Sequence, residues 1–136
     1  MDDTTNDTKR AVVCLIKNAE GKYLMMKASN YGDFGENQDA WYPPSGYIKN
    51  GESDEETIKR EMREEFNVEV RTVKLVTESE IDHPGEKANW WECEIVDGEI
   101  KPGSEIAEYG FFSIEEVKNL KLWPATKKFF EKFLWN

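Results

Sequence analysis

The chain has 136 residues, 38% hydrophobic and 34% charged, with five Trp and seven Phe. That composition suits one globular domain with a single core and is too rich in large apolar residues for intrinsic disorder. Its formal charge of −10 argues against nucleic acid or an anionic membrane as a partner, since both bind through broad basic surfaces.

The opening "MDDTTNDT" is polar and acidic, without the apolar stretch of a signal peptide. The longest apolar run, residues 11–16, has six residues, far short of the roughly 20 that a membrane-spanning helix needs. The expectation is a polar tail over residues 1–8 and one cytoplasmic domain over residues 9–136, as a monomer or homodimer. "KRAVVCLIKN" reads as a buried strand, "NAEG" as a turn and "KYLMMKA" as its hairpin partner. A polar loop over residues 29–40 follows, of the length that tends to be functional. "WYPPSGYI" carries two prolines, so it suits a short or edge strand leading into a loop.

A helix then starts at a capping box, Ser53 with Glu56, whose first turn also carries Asp54 and Glu55. Asn67 tolerates a left-handed backbone and suits the stop, which predicts a helix over Asp54–Phe66. "VEVRTVKLVTESEI" and "NWWECEIVDG" read as strands around a turn at "DHPGEKA". A further strand lies within "EIKPGSEIAEYGFFS". A second capping box, Ser113 with Glu116, opens a short helix through about Leu120. Pro124 suits a first helical position, and Phe129, Phe130, Phe133 and Leu134 form an apolar stripe at helical spacing. Strands with intervening and terminal helices point to α/β or α+β layers.

Cys14 and Cys93 lie in strand-like stretches with no ligand at metal spacing, as two buried free thiols in a reducing compartment do. His83, the only histidine, sits beside Pro84 and Gly85 and reads as a loop residue, with no nucleophile nearby for it to activate.

The chemistry gathers in the first long helix. At about 100° per residue, Ile58, Met62 and Phe66 form its core stripe. On the same wheel Glu65 falls about 20° from Ile58, Glu61 about 60° and Glu64 about 120°. A solvated acidic face normally lies opposite the apolar stripe. These acids instead crowd the body of the domain, where unpaired carboxylates are costly, and a divalent cation with a taste for oxygen ligands relieves that cost. Glu52, two turns upstream of Arg60, can lash the preceding loop to the helix, although neighbouring charges at similar spacing are alternative partners.

The whole segment "GYIKNGESDEETIKREMREEFNV", residues 46–68, resembles the signature of the Nudix (MutT-like) hydrolases, G-x5-E-x7-R-E-U-x-E-E-x-G-U with U aliphatic. Gly46, Glu52, Arg60, Glu61, Met62, Glu64, Glu65 and Val68 fill eight of its nine specified positions, and Asn67 stands in place of Gly. The lead-in "DAWYPPSGYIKNGE" and the distal "EIAEYGFFSIEEVKNL" also look like the family's. The resemblance implies an α/β/α sandwich with a mixed sheet. It implies that Glu61, Glu64 and Glu65 ligate Mg²⁺ or Mn²⁺ with the main-chain carbonyl of Ser45, while Arg60, Glu52 and Gly46 shape the site. A distal-loop acid often joins such sites, for which Glu105 is the first candidate and Glu108 the next.

The implied reaction is hydrolysis of a nucleoside diphosphate linked to another group, with Glu61 or Glu105 as the base. The expected substrate is a nucleoside triphosphate, oxidised forms included, and the alternatives are ADP-ribose, a nucleotide sugar, or binding without catalysis. Candidates for stacking the base are Tyr31, Phe34, Trp41, Trp90 and Trp91, each with a core-packing alternative. Pro84 lies sixteen residues after the motif, where ADP-ribose-cleaving members carry proline, and it equally suits a Pro-Gly turn.

Overall fold

A strand stretch that is apolar at every position has to be covered on both faces, and residues 11–16 are so covered at the centre of the molecule. The structure is a computed structural model that describes residues 9–28 and 35–135. Strand β1 (Arg10–Ile16) pairs with the short edge strand β3 (Ser45–Tyr47) on one side and, in parallel, with β5 (Lys87–Gly98) on the other. Beyond β5 lies β4 (Val68–Glu80), antiparallel to it, which gives a mixed sheet of order β3-β1-β5-β4. Val12, Cys14 and Ile16 face the core under helix α1 (Asp54–Phe66), together with Ile58, Met62 and Phe66. Ala11, Val13 and Leu15 face the opposite core, which α3 (Pro124–Phe133) closes with Phe129 and Phe130. Helices on both faces of a mixed sheet make the α/β/α sandwich.

The strand β2 (Tyr23–Ala28) corrects one expectation. The turn after β1 forms, with the Asn18 amide donating to the Lys22 carbonyl at 2.9 Å. The pairing then stops at a single bridge between Lys17 and Tyr23. Instead, β2 pairs along its length with β6 (Ile106–Phe112) in a separate two-stranded sheet. The reason is the number of edges. A strand has two, and β3 and β5 occupy both edges of β1.

Helix α1 begins and ends where its caps predict. Ser53 accepts from the Glu56 amide while the Glu56 carboxylate accepts from the Ser53 amide, and Asn67 closes the helix at φ 62°, ψ 33°. Helix α2 (Ile114–Val117) also starts at its capping box but is only one turn long. The amides of Asn119 and Leu120 bond three residues back, to Glu116 and Val117, so the predicted continuation to Leu120 is a tightening turn. In α3, Phe129 and Phe130 are buried as the stripe requires, whereas Phe133 is 36% exposed and Leu134 half-buried. Phe133 lies in the last turn, where it leans on Phe129 with ring centroids 4.9 Å apart. Cys14 and Cys93 are free and buried. Among the described residues no helix is long and apolar enough to cross a membrane.

The left-handed Asn67 generates a stability test. A residue with a plain Cβ pays about 1–2 kcal/mol for that backbone region, and glycine pays none of it. In urea titrations Asn67→Ala is expected to lower stability by about 1 kcal/mol, and Asn67→Gly to match or exceed the parent. Equal midpoints for all three proteins would contradict the cap assignment.

Candidate active site

Two loops and one helix build the site. The first loop, between β3 and α1, is fastened by Glu52, whose Oε1 accepts from the Lys49 amide at 2.9 Å and from Thr57 Oγ1 at 2.9 Å. The same carboxylate takes a two-pronged bond from Arg60, Nε to Oε2 at 2.7 Å and Nη2 to Oε1 at 2.9 Å. Arg60 Nη1 also donates to Glu61 Oε2 at 2.8 Å and Glu64 Oε1 at 3.4 Å, and Nη2 reaches the carbonyl of Tyr47 at 3.2 Å. The guanidinium therefore ties the loop, strand β3 and three glutamates into one cluster. Its hydrogen bonds, with those from the Lys49 amide and Thr57, hold the Glu52 carboxyl down at about 2. Glu52 reciprocally raises Arg60 above its usual range.

The second loop, residues 99–105, docks on the far end of α1. The last carbonyls of a helix lack partners within it. Here the Lys101 amide donates to Phe66 O at 3.0 Å and the Gly103 amide to Glu65 O at 2.9 Å. This docking brings Glu105 close enough for its charge to act on Glu65. Glu108, the other distal candidate, lies in β6 and pairs with Lys27 at 3.2 Å.

The wheel ordering is visible in the burial. The Glu61 side chain is 15% exposed and that of Glu64 is 58% exposed. Glu65 is half-buried, and its carboxyl is pushed up to about 8, first by burial, then by its hydrogen bond with Glu61 and the charges of Glu61, Glu105 and Glu64. Like charges confined near a core raise one another in this way. Gly46 makes the packing possible: a Cβ there would stand 2.3 Å from Glu61 Cδ and 2.4 Å from its Cγ.

Glu61, Glu65 and Glu105 line one wall of an open cavity of about 420 Å³, which Ser45, Gly46 and Tyr47 of β3 also border. Its size is in the range of small-molecule sites, roughly 300–1,000 Å³. Among the described residues no three acids, histidines or cysteines close into a metal cage. The residues present nevertheless fit a hard divalent cation, since their side chains are carboxylates, negative charge is in excess, and such a cation keeps waters in its shell.

The aromatic candidates separate. Tyr31 and Phe34 lie outside the described residues. Trp41 is 8% exposed, packed edge-on against Phe112 at 5.0 Å and outside the cavity lining. Trp91 donates from Nε1 to Asp54 Oδ2 at 2.8 Å, tying α1 to β5. Trp90 is 1% exposed and stacked on Phe129 at 4.3 Å, yet it borders the cavity floor. Sequence reasoning did not single out Tyr42 and Trp123, which also line the cavity, as does His83, which lies in a turn as expected. Tyr42 was within reach, because neighbours on an extended chain point to opposite sides, and Trp41 takes the core.

The NUDIX domain family model matches residues 7–133. A nucleoside triphosphatase, NudI, of Escherichia coli O139:H28 (strain E24377A / ETEC) is 25% identical over 133 residues, covering 88% of this chain and 93% of its own. Among solved structures, the MutT protein of Methanosarcina mazei Go1 superposes with a TM-score of 0.77 at 24% identity over 96% of each chain. An ADP-ribose pyrophosphatase of Streptococcus suis 89-1591 does so with a TM-score of 0.66 at 22% identity, over 88% of this chain and 82% of that one. With the motif, the sandwich and the family match in agreement, the chain belongs to the Nudix family and is a hydrolase of phosphoric anhydride bonds.

Proposed function

We propose that the chain is a pyrophosphohydrolase dependent on Mg²⁺ or Mn²⁺ that acts on nucleoside triphosphates, oxidised ones included, in the manner of MutT. The observation that carries this reading is the convergence of Glu61, Glu65 and Glu105 on one wall of a cavity of nucleotide size. The similarity to a nucleoside triphosphatase over nearly the whole chain supports the substrate class. The two buried free thiols suit a reducing cytoplasm.

In this reading Glu61, Glu64 and Glu65 hold the cation with the main-chain carbonyl of Ser45. When bound, the cation supplies charge neutralisation for the diphosphate and an acidified water. Glu61 or Glu105 accepts the proton of the attacking water. Arg60 and Glu52 position these acids without touching substrate. Gly46 leaves room for the Glu61 carboxylate.

Three outcomes test it. With Mg²⁺, the protein is expected to hydrolyse at least one compound of a panel of nucleoside triphosphates, ADP-ribose, dinucleoside polyphosphates and nucleotide sugars, and Glu64→Gln to lose several orders of magnitude in kcat. Full activity in that variant, or without metal, would overturn the mechanism, and binding without turnover across the panel would assign a binding module. Gly46→Ala forces the Glu61 carboxylate aside and is expected to reduce kcat/KM by about a hundredfold, with an unchanged circular dichroism spectrum.

The third outcome concerns pH. A carboxyl whose pKa is lower in the folded than in the unfolded chain stabilises above the unfolded value, and that contribution disappears as pH falls through the folded one. For Glu52 the window runs from about 4.5 down to about 2. Glu52→Gln is expected to melt below the parent at neutral pH, and the gap between the two Tm values should close across that window. A gap that persists at the acid end would place the stabilisation elsewhere.

A further inference from the structure

The cavity reaches well past the acids. Its lining takes Glu61 and Glu65 from α1, passes the edge strand β3, and continues along Ala11, Val13 and Trp90, which belong to the face of the sheet that α3 covers. Asp82, His83 and Thr126 line the cavity as well, Thr126 within α3 and Asp82 bonded to the first turn of that helix. A linear substrate spanning the cavity therefore has one end at the acids and the other at the start of α3.

Charge decides which end is which. The first turn of a helix attracts anions, and Trp123, at the N-cap of α3, offers no side-chain bond to it. Asp82 supplies that bond, with Oδ1 accepting from the Ala125 amide at 2.9 Å. A resident carboxylate at this terminus repels a phosphate. The α1 end holds more carboxylates still, but these are the ones that the cation of the proposed reaction would offset, so the phosphates belong there and the less charged half of the substrate meets the α3 end.

His83 follows Asp82 on a turn held from both sides. The Ile81 amide donates to Glu86 O at 3.0 Å, the Glu86 amide to His83 O at 3.1 Å, and Tyr47 Oη to Glu86 Oε1 at 2.7 Å. Tyr42 and Trp123 line the same cavity, packed edge to face with centroids 6.2 Å apart. An imidazole both donates and accepts hydrogen bonds, as the edge of a nucleobase does, and aromatic rings offer it a face.

We propose that His83 is a specificity-determining residue that contacts the nucleoside half of the substrate at the α3 end of the cavity. The assignment of ends rests on the nucleotide-hydrolase reading above. His83 is the only histidine of the chain, so its ring gives a single set of NMR signals that needs no mutagenesis to identify. At constant pH and without metal, at least one of AMP, GMP, CMP and UMP is expected to move those signals saturably, and pyrophosphate with Mg²⁺ to leave them in place. His83→Ala is expected to raise KM for the nucleotide substrate severalfold while kcat stays within about twofold, the pattern of a lost contact that ground and transition states share. Ring signals unmoved by all four nucleotides, signals that follow pyrophosphate with Mg²⁺ equally, or an unchanged KM in His83→Ala would each overturn the proposal. Ring signals that move in a protein hydrolysing no member of the panel would uphold the contact and overturn the hydrolase reading alone.

Discussion

Arg60 directs its N–H groups at Glu52, Glu61, Glu64 and the carbonyl of Tyr47, and the geometry of the site depends on that one guanidinium. A planar cation with five donors in a fixed fork can hold several acceptors at set angles. A lysine in its place would supply the charge but not the angles. The two-pronged bond to Glu52 fixes the loop before α1, and the contact with Tyr47 O fixes β3 against the helix. Glu61 and Gly46 consequently meet at a distance that only glycine permits.

One positive charge is nevertheless set against many negative ones. Glu65 receives no bond from Arg60, and its carboxyl rises to about 8 first because it is half-buried and then because Glu61, Glu105 and Glu64 stand near it. The fold thus crowds carboxyl groups beside the core and pairs with a cationic side chain only the part that holds the loop in place. Such an imbalance is costly in a passive structural element and useful in a site that receives cations together with an anionic substrate. The excess acidity of the whole chain is consistent with the same logic.

The degree to which the sequence disclosed this arrangement follows the range of the interactions involved. Ser53, Glu56 and Asn67 act within a few residues of themselves, and α1 has the bounds they imply. The flanking position of the three glutamates follows from helical geometry alone. The partner of β2 did not follow, because it depends on which strands already occupy the edges of β1. Trp41 and Trp90 illustrate a second limit. Aromatic residues in strands serve cores and ligands alike, and only the position of Phe112 and Phe129 decides between those uses. Glu105 could be ranked by family resemblance, but the reason it reaches α1 is the pair of backbone bonds from Lys101 and Gly103, which no local pattern reveals.

Those bonds also connect stability with chemistry. The carbonyls at the end of α1 need partners whether or not the protein binds anything, and the loop that supplies them carries Glu105 to the cavity. At the start of α3 the same requirement is met from the opposite side, where Asp82 caps the Ala125 amide and carries the turn with His83 to the cavity rim. Two helix ends, each satisfied by a distant segment, thereby define the two ends of the cavity. One end gathers carboxylates and the other gathers an imidazole and aromatic rings. With a cation offsetting the carboxylates, a substrate with a charged phosphate chain at one end and a flat heteroaromatic group at the other matches that polarity, whereas a symmetric dianion would meet repulsion from Asp82 at the α3 end.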